Sequence, residues 1–80
     1  MNQYAMIETA LNEHKKLSLI SGARLVNLSV DIYEGGEYYD GELCIAVRVE
    51  TISWNCGTKK ELSYTYLSKD GSLIGSVRAC

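Results

Sequence analysis

The chain has 80 residues, of which 46% are hydrophobic and 22% are charged, and its formal net charge is −2. This composition is typical of a globular protein, and the length fits a single domain, 1–80. No apolar stretch approaches the roughly 18 residues that a membrane span needs. The mildly acidic charge argues against a general phosphate-backbone binder. We therefore expect neither a membrane nor a nucleic acid to be a direct partner.

Apolar side chains recur at helical spacing over residues 3–16, which predicts an N-terminal amphipathic helix. The stripe consists of Tyr4, Ile7, Leu11 and His14, and is widened by Met6 and Ala10. Asn2 is the predicted N-cap, because its side chain can accept a hydrogen bond from the free N–H groups of the first turn. Ser21-Gly22 is the predicted break, which leaves the end of the helix open between Lys16 and Ser21.

After Gly22 the hydrophobic period changes to two, which predicts β-strands. Four strands are expected, at residues 26–32, 43–49, 62–66 and 73–79. Asp40-Gly41, Cys56-Gly57 and Asp70-Gly71 are the expected two-residue hairpin turns. Gly35-Gly36 either bulges the first strand or opens a longer loop. The predicted fold class is α+β, with one N-terminal helix packed on a four-stranded antiparallel β-meander (α-β-β-β-β).

The three turns also predict which residues face one another across the sheet. Two-residue turns pair Tyr38 with Leu43, Ile32 with Val49, Val49 with Tyr64, Val47 with Tyr66, Tyr66 with Gly75, Tyr64 with Val77, and Ser68 with Leu73. Every pair keeps one apolar face, and a one-residue slip would exchange the two faces of a strand. The layout is similar in outline to the cystatin-like fold but lacks the inhibitory hairpin motif of that family, so no function follows from it.

Cysteine and histidine usage argues against catalysis and metal binding. Three cysteines cannot all pair within one chain, which favours free thiols in a reducing, cytoplasmic compartment. His14 is the only histidine and belongs to the stripe that faces the sheet. Cys44 and Cys80 are predicted on the opposite face, and Cys56 lies in a turn, so a Cys-His pair is not expected. We predict a protein that is not an enzyme, with no catalytic residues, no metal and no cofactor.

The distinctive segment is residues 31–42, which we call the acidic hairpin. It contains five acids, three tyrosines and no Lys or Arg, so its local charge is −5 and the remainder of the chain carries +3. Tyrosine rings flanked by carboxylates suit a basic protein surface. The predicted partner-binding residues are Tyr33, Glu34, Glu37, Tyr38, Tyr39, Asp40 and Glu42. The alternative is a solvated hairpin whose charges discourage aggregation, with Tyr38 in the core.

A second candidate surface is the sheet face away from the helix, because one helix covers only one face. The predicted register exposes an apolar set there, which is typical of an interface such as a homodimer. Its members are Cys44, Ala46, Ile52, Trp54, Leu67 and Ile74.

Two hypotheses about function follow. The first is a small inhibitor or regulator that docks the acidic hairpin on a basic partner surface, one that normally holds nucleic acid. Its size and lack of catalytic parts are analogous to the anti-defence or anti-CRISPR proteins of phages and mobile elements. The second is a self-assembling structural or accessory subunit, a homodimer formed through the helix-free sheet face.

Overall fold

The structure is a computed structural model that describes residues 2–79. It contains one helix, α1 (Gln3–Leu17), followed by the strands β1 (Arg24–Tyr39), β2 (Glu42–Trp54), β3 (Thr58–Leu67) and β4 (Leu73–Arg78). The strands form one antiparallel sheet in the order β1-β2-β3-β4. The predicted α-β-β-β-β architecture is confirmed.

The helix begins at the predicted cap. The Asn2 side chain accepts a hydrogen bond from the backbone N–H of Ala5 at 2.9 Å. The buried stripe is centred on Met6, Ala10 and His14, and Tyr4, predicted to belong to it, is 84% exposed. Ala10 has no exposed surface, because its small side chain allows the helix backbone to lie close to the sheet.

The hydrophobic core lies between the helix and the middle of the sheet. Its buried members are Met6, Ala10, Ile45, Val47, Val49 and Leu67. The helix packs over β2, β3 and β4. On β1, Val30 and Ile32 are half-buried against this core, whereas Leu25 and Leu28 are 56% and 42% exposed. The helix therefore leaves the apolar side chains of β1 only partly covered.

The register between β2 and β3 differs from the predicted one by a single residue. Val49 lies opposite Ser63, and Val47 lies opposite Thr65. The connecting loop has three residues, 55–57, in place of two, and Cys56 (φ 53°) takes the left-handed conformation. Because strand side chains alternate, this one-residue slip reverses the face of every β3 residue. Glu61, Ser63, Thr65 and Leu67 face the helix, and Leu62, Tyr64 and Tyr66 face away.

The β3–β4 register agrees with the prediction over most of its length. Tyr66 lies opposite Gly75 and Tyr64 opposite Val77. A bulge next to the turn places Leu67, and not Ser68, opposite Leu73.

In the β1–β2 hairpin, the two-residue turn at Asp40-Gly41 pairs Tyr38 with Leu43 as predicted. Both turn residues have positive φ, 52° and 83°, which this turn requires. A bulge between Tyr33 and Glu37 adds two residues to β1, so Ile32 lies opposite Val47 and not Val49. Of the two alternatives for Gly35-Gly36, the bulge is therefore the one that forms.

Ser63 and Glu61, which the register brings beneath the helix, find hydrogen-bond partners there, whereas the buried Thr65 Oγ1 has none among the described residues. His14 is 7% exposed, and its Nδ1 and Nε2 atoms lie 2.6 Å from Ser63 Oγ and 2.9 Å from Thr51 Oγ1. Both ring nitrogens are therefore hydrogen-bonded, which offsets the cost of burying the imidazole and the two hydroxyls.

Glu61 is the second buried polar group, with 5% of its surface exposed. Its carboxylate accepts hydrogen bonds from Ser18 Oγ at 2.6 Å and from the Leu19 N–H at 2.8 Å, and Arg78 lies 3.6 Å away. Burial acts to raise the pKa of Glu61, but these donors and the Arg78 charge outweigh it, so the pKa lies below 4.5. Glu61 thus ties the chain that follows the helix to β3.

The His14 environment predicts a loss of stability in weak acid. Burial lowers the pKa of His14 from 6.5; Arg78 acts in the same direction, and Glu61 opposes it. The unfolded chain takes up a proton as the pH falls through 6.5, whereas the folded chain resists it. The free energy of unfolding is therefore undiminished above pH 6.5 and decreases below it. Urea unfolding measured from pH 7.5 down to about 5.5, a range that brackets the ordinary histidine pKa, should show this decrease.

His14→Gln is the control, because it removes the titrating group and keeps hydrogen-bonding capacity toward Ser63 and Thr51. No other histidine is present in the sequence. The pKa of Glu61 is lowered from 4.5, so its effect on the pH dependence of the free energy of unfolding falls below the pH range of this experiment. An unchanged wild-type stability across this range, or an equal loss in the variant, would contradict the assignment.

Candidate functional site: the acidic hairpin

The acidic hairpin, residues 31–42, forms the end of the long β1–β2 pair and turns at Asp40-Gly41. Tyr38 and Tyr33 are 65% and 42% exposed. Glu34, Asp40 and Glu42 are also exposed, whereas Glu37 and Tyr39 are half-buried. The alternative of a solvated hairpin is wrong only in placing Tyr38 in the core, because this side chain is 65% exposed.

Most of the hairpin carboxylates have no cation beside them. Asp31 lies 3.8 Å from Arg48, which itself binds Glu50 at 2.8 Å. Within residues 2–79, no Lys, Arg or His nitrogen lies within 4.0 Å of the remaining four carboxylates, those of Glu34, Glu37, Asp40 and Glu42. Their negative charge is therefore available to an external cation.

Tyr39 fixes the hairpin to the opposite edge of the sheet. Its ring stacks on Tyr66 with centroids 4.6 Å apart. It also covers Gly75, where an added Cβ would lie 2.7 Å from Tyr39 Oη. Position 75 therefore has to be glycine for the ring to lie there. Tyr66 is the cross-strand partner of Gly75, as predicted, but the ring that covers Gly75 is that of Tyr39.

Cys44 lies beneath this aromatic group and is 2% exposed. It faces Glu37 across the strand pair, and burial, reinforced by the Glu37 charge, raises its thiol pKa. A buried thiol with a raised pKa is a poor nucleophile. Cys44 and His14 lie on opposite faces of the sheet, as predicted. Cys56 is exposed in the loop at 55–57, and Cys80 lies outside the described residues.

The prediction that six apolar residues are exposed on the helix-free face is wrong for three of them, Leu67, Cys44 and Ala46. Leu67 has no exposed surface and packs in the core beneath the helix, because the register slip turns it inward. Cys44 and Ala46 do lie on the predicted face, but each is only 2% exposed. In the register, Ala46 lies between Tyr33 and Tyr66, whose side chains share its face.

The remaining three predicted interface residues lie at two separate ends of the sheet, with Ile52 and Trp54 on the same face at the end of β2. Ile52 and Ile74 are half-buried, and Ile74 is the bulged residue of β4. Trp54 is 53% exposed, but it lies at the far end of β2 from Ile74.

The other end of the molecule contains a cavity of about 290 Å³ between the end of α1 and the strands β1 and β2. His14, Thr51 and Glu61 contribute its polar lining, and Leu25 and Leu28 lie at its β1 side. Among residues 2–79, no group of His, Cys, Asp and Glu side chains is suited to hold a metal ion. The single described helix is too short and too polar to cross a membrane.

Comparisons of the chain with family models, with curated proteins and with solved structures find no match in any of the three.

The contact between Tyr39 and Gly75 predicts strong coupling between these positions. Gly75→Ala should lower the free energy of unfolding by about 1–3 kcal/mol, because the new methyl group overlaps the ring and displaces it. In a Tyr39→Ala background the same change should cost well below 1 kcal/mol, roughly the range expected of an uncrowded site. A double-mutant cycle by urea unfolding measures the coupling. Equal costs in the two backgrounds would show that the ring does not cover Gly75.

Proposed function

We propose that this protein binds another protein through the acidic hairpin, and that it acts as a non-enzymatic inhibitor or regulator of a partner with a basic surface. The observation that carries the proposal is an exposed tyrosine, Tyr38, in a hairpin with four carboxylates that have no cation beside them. Large aromatic side chains and complementary charges are the usual sources of affinity and specificity at protein interfaces.

The hairpin end offers an apolar anchor together with charge. Tyr38 pairs with Leu43 across the strands, and these two side chains are 65% and 44% exposed on the same face. Asp40, Gly41 and Glu42 lie directly beside this pair at the turn. A partner pocket that accepts the tyrosine ring would therefore bring its own Arg or Lys side chains toward carboxylates.

The hairpin is also preorganised. Its turn residues adopt the positive φ values that a tight two-residue turn requires, and Tyr39, directly before the turn, packs against Tyr66 and Gly75. A binding element that is already ordered loses less conformational entropy on association, so more of its contact energy contributes to affinity.

Charge separation along the molecule favours an oriented encounter. The structure extends 40 Å along its longest axis, and the acidic hairpin occupies one end of the sheet. At the other end, Arg24 lies opposite Trp54, and Lys59 and Lys60 begin β3. Such a dipole turns the acidic end toward a positive surface and raises the association rate.

The chemistry of the hairpin favours a partner whose surface normally holds nucleic acid, because the Arg and Lys side chains that bind phosphate also bind carboxylates. We propose the cytoplasm as the setting, since the free thiols of Cys44 and Cys56 persist in a reducing compartment. An anti-defence role in a phage or mobile element, of the anti-CRISPR type, is the form of this proposal that combines small size with a nucleic-acid-binding target.

Affinity capture from the native cell with matched variants tests the proposal. Glu42→Lys changes the hairpin, and Glu8→Lys makes the same charge change on the exposed surface of α1. We expect Glu42→Lys to weaken capture on the order of tenfold, because it removes an attraction and adds a repulsion at the interface. Tyr38→Ala should weaken it similarly, as the loss of a central aromatic contact does. Quantitative mass spectrometry of the captured proteins gives the measurement.

Glu8→Lys should retain the same proteins as the wild type, and added nucleic acid should displace the partner that depends on the hairpin. A captured set that Glu42→Lys and Tyr38→Ala leave unchanged would overturn the proposal. So would a partner that Glu8→Lys removes equally well, because the effect would then follow net charge and not the hairpin.

A further inference from the structure

The two edges of the sheet differ in how well they are protected. β4 is the shorter edge, with six residues, a bulge at Ile74, and a glycine covered by Tyr39. β1 is the longer edge, with 16 residues, and its regular segment between two bulges, residues 27–33, contains no Pro or Lys and only one charged side chain, Asp31. Edge strands that stay unpaired usually carry such residues, because an exposed row of N–H and C=O groups otherwise pairs with another strand.

The β1 edge also exposes apolar side chains. Leu25, Val26 and Leu28 are 56%, 59% and 42% exposed. The helix packs over β2, β3 and β4, so the helix-side residues of β1 form the margin of the core and not its middle. The cavity beside His14 is lined at this margin by Leu25 and Leu28. The core is therefore incomplete along β1.

We infer that β1 pairs antiparallel with β1 of a second copy of this chain, which joins the two sheets into one of eight strands. This pairing overlaps the acidic hairpin at residues 31–34, but it leaves Tyr38, the turn at Asp40-Gly41 and Glu42 free, so the variants that test the proposed function lie outside it. The regular part of β1 lies between its two bulges, at residues 27–33. Pairing this segment with itself places Val30 opposite Val30 of the second copy.

The side chains of β1 are self-complementary in this arrangement. Leu28 lies opposite Ile32 of the second copy on the helix side, and Ser29 lies opposite Asp31 on the other side. The apolar margins of the two cores then adjoin, and the two helices lie on the same side of the joined sheet. Cross-strand apolar pairs of this kind are the main stabilising units of a sheet.

Charge along β1 selects the antiparallel direction. The strand begins at Arg24, its one cation, and its acids lie from the middle of the strand onward, at Asp31, Glu34 and Glu37. A second copy in the antiparallel direction brings each Arg24 near the acidic part of the other strand. A parallel copy would place the two acidic parts side by side and cost repulsion. The resulting interface is isologous, which is the commonest symmetry of protein dimers.

Sedimentation of the wild type and two matched variants tests the inference. The wild type should change from 8.9 kDa to twice that mass as its concentration rises. Leu28→Lys places a charge on the β1 edge, and Val77→Lys places the same charge on the β4 edge at nearly equal exposure, 42% against 40%. Leu28→Lys should weaken dimerisation on the order of tenfold or more, since it opposes a lysine to an apolar residue. Val77→Lys should leave it unchanged.

Exchanging the charges of Arg24 and Glu34 provides a second test, which does not depend on whether Leu28→Lys folds. Arg24→Glu should weaken the dimer, and Arg24→Glu with Glu34→Arg should restore it. Amide exchange should show protection of residues 27–33 that increases with protein concentration. A wild type that stays at 8.9 kDa at every soluble concentration overturns the inference. A dimer that survives Leu28→Lys, or that Val77→Lys dissociates, overturns it as well.

Discussion

The length of the loop between β2 and β3 determines which β3 side chains face the helix and which face the other side of the sheet. Three residues, 55–57, connect β2 to β3, and the left-handed conformation of Cys56 accommodates the third. A two-residue turn would place Tyr64 and Tyr66 beneath the helix, and the observed loop places Ser63 and Thr65 there. Because side chains alternate along a strand, this choice assigns every β3 side chain to one face or the other.

Both faces depend on that register. Beneath the helix, the inward polar row is stabilised by His14, which contacts Ser63 and Thr51 through its two ring nitrogens. On the other face, Tyr66 forms the platform on which Tyr39 stacks. This platform holds Tyr39, the residue directly before the turn of the acidic hairpin, while Tyr38 and the carboxylates at the turn stay exposed. The proposed binding element is therefore held by a contact that the other register would not allow.

The sequence patterns predicted much of this fold correctly, and their failures have identifiable physical causes. Period-two alternation and the Asp40-Gly41 turn were sufficient for the strand order and for the Tyr38–Leu43 pair, because these depend on local geometry. They failed to predict which face of β3 lies beneath the helix, because either of its two alternating sets of side chains is compatible with a regular strand. An inward-facing Glu61 and Ser63 become acceptable only when Ser18 and His14 supply hydrogen-bond partners, and those contacts join residues more than 40 positions apart.

The candidate site was predictable to a similar degree. Clustered acids and tyrosines identified the hairpin, since charge and exposure follow from composition. The stacking of Tyr39 on Tyr66 was not predictable, because the predicted β2–β3 register placed Tyr66 on the helix side of the sheet and Tyr39 on the other side. The apolar patch predicted on the helix-free face failed for the same reason as the register, since Leu67 moved with β3 into the core.

Nuclear Overhauser contacts between β2 and β3 test this register most directly. The account predicts cross-strand contacts that pair Val49 with Ser63 and Val47 with Thr65, together with contacts between the Tyr39 ring and Gly75. Contacts that pair Val49 with Tyr64 and Val47 with Tyr66 would contradict it, because the tyrosines would then lie beneath the helix and the hairpin would have no platform.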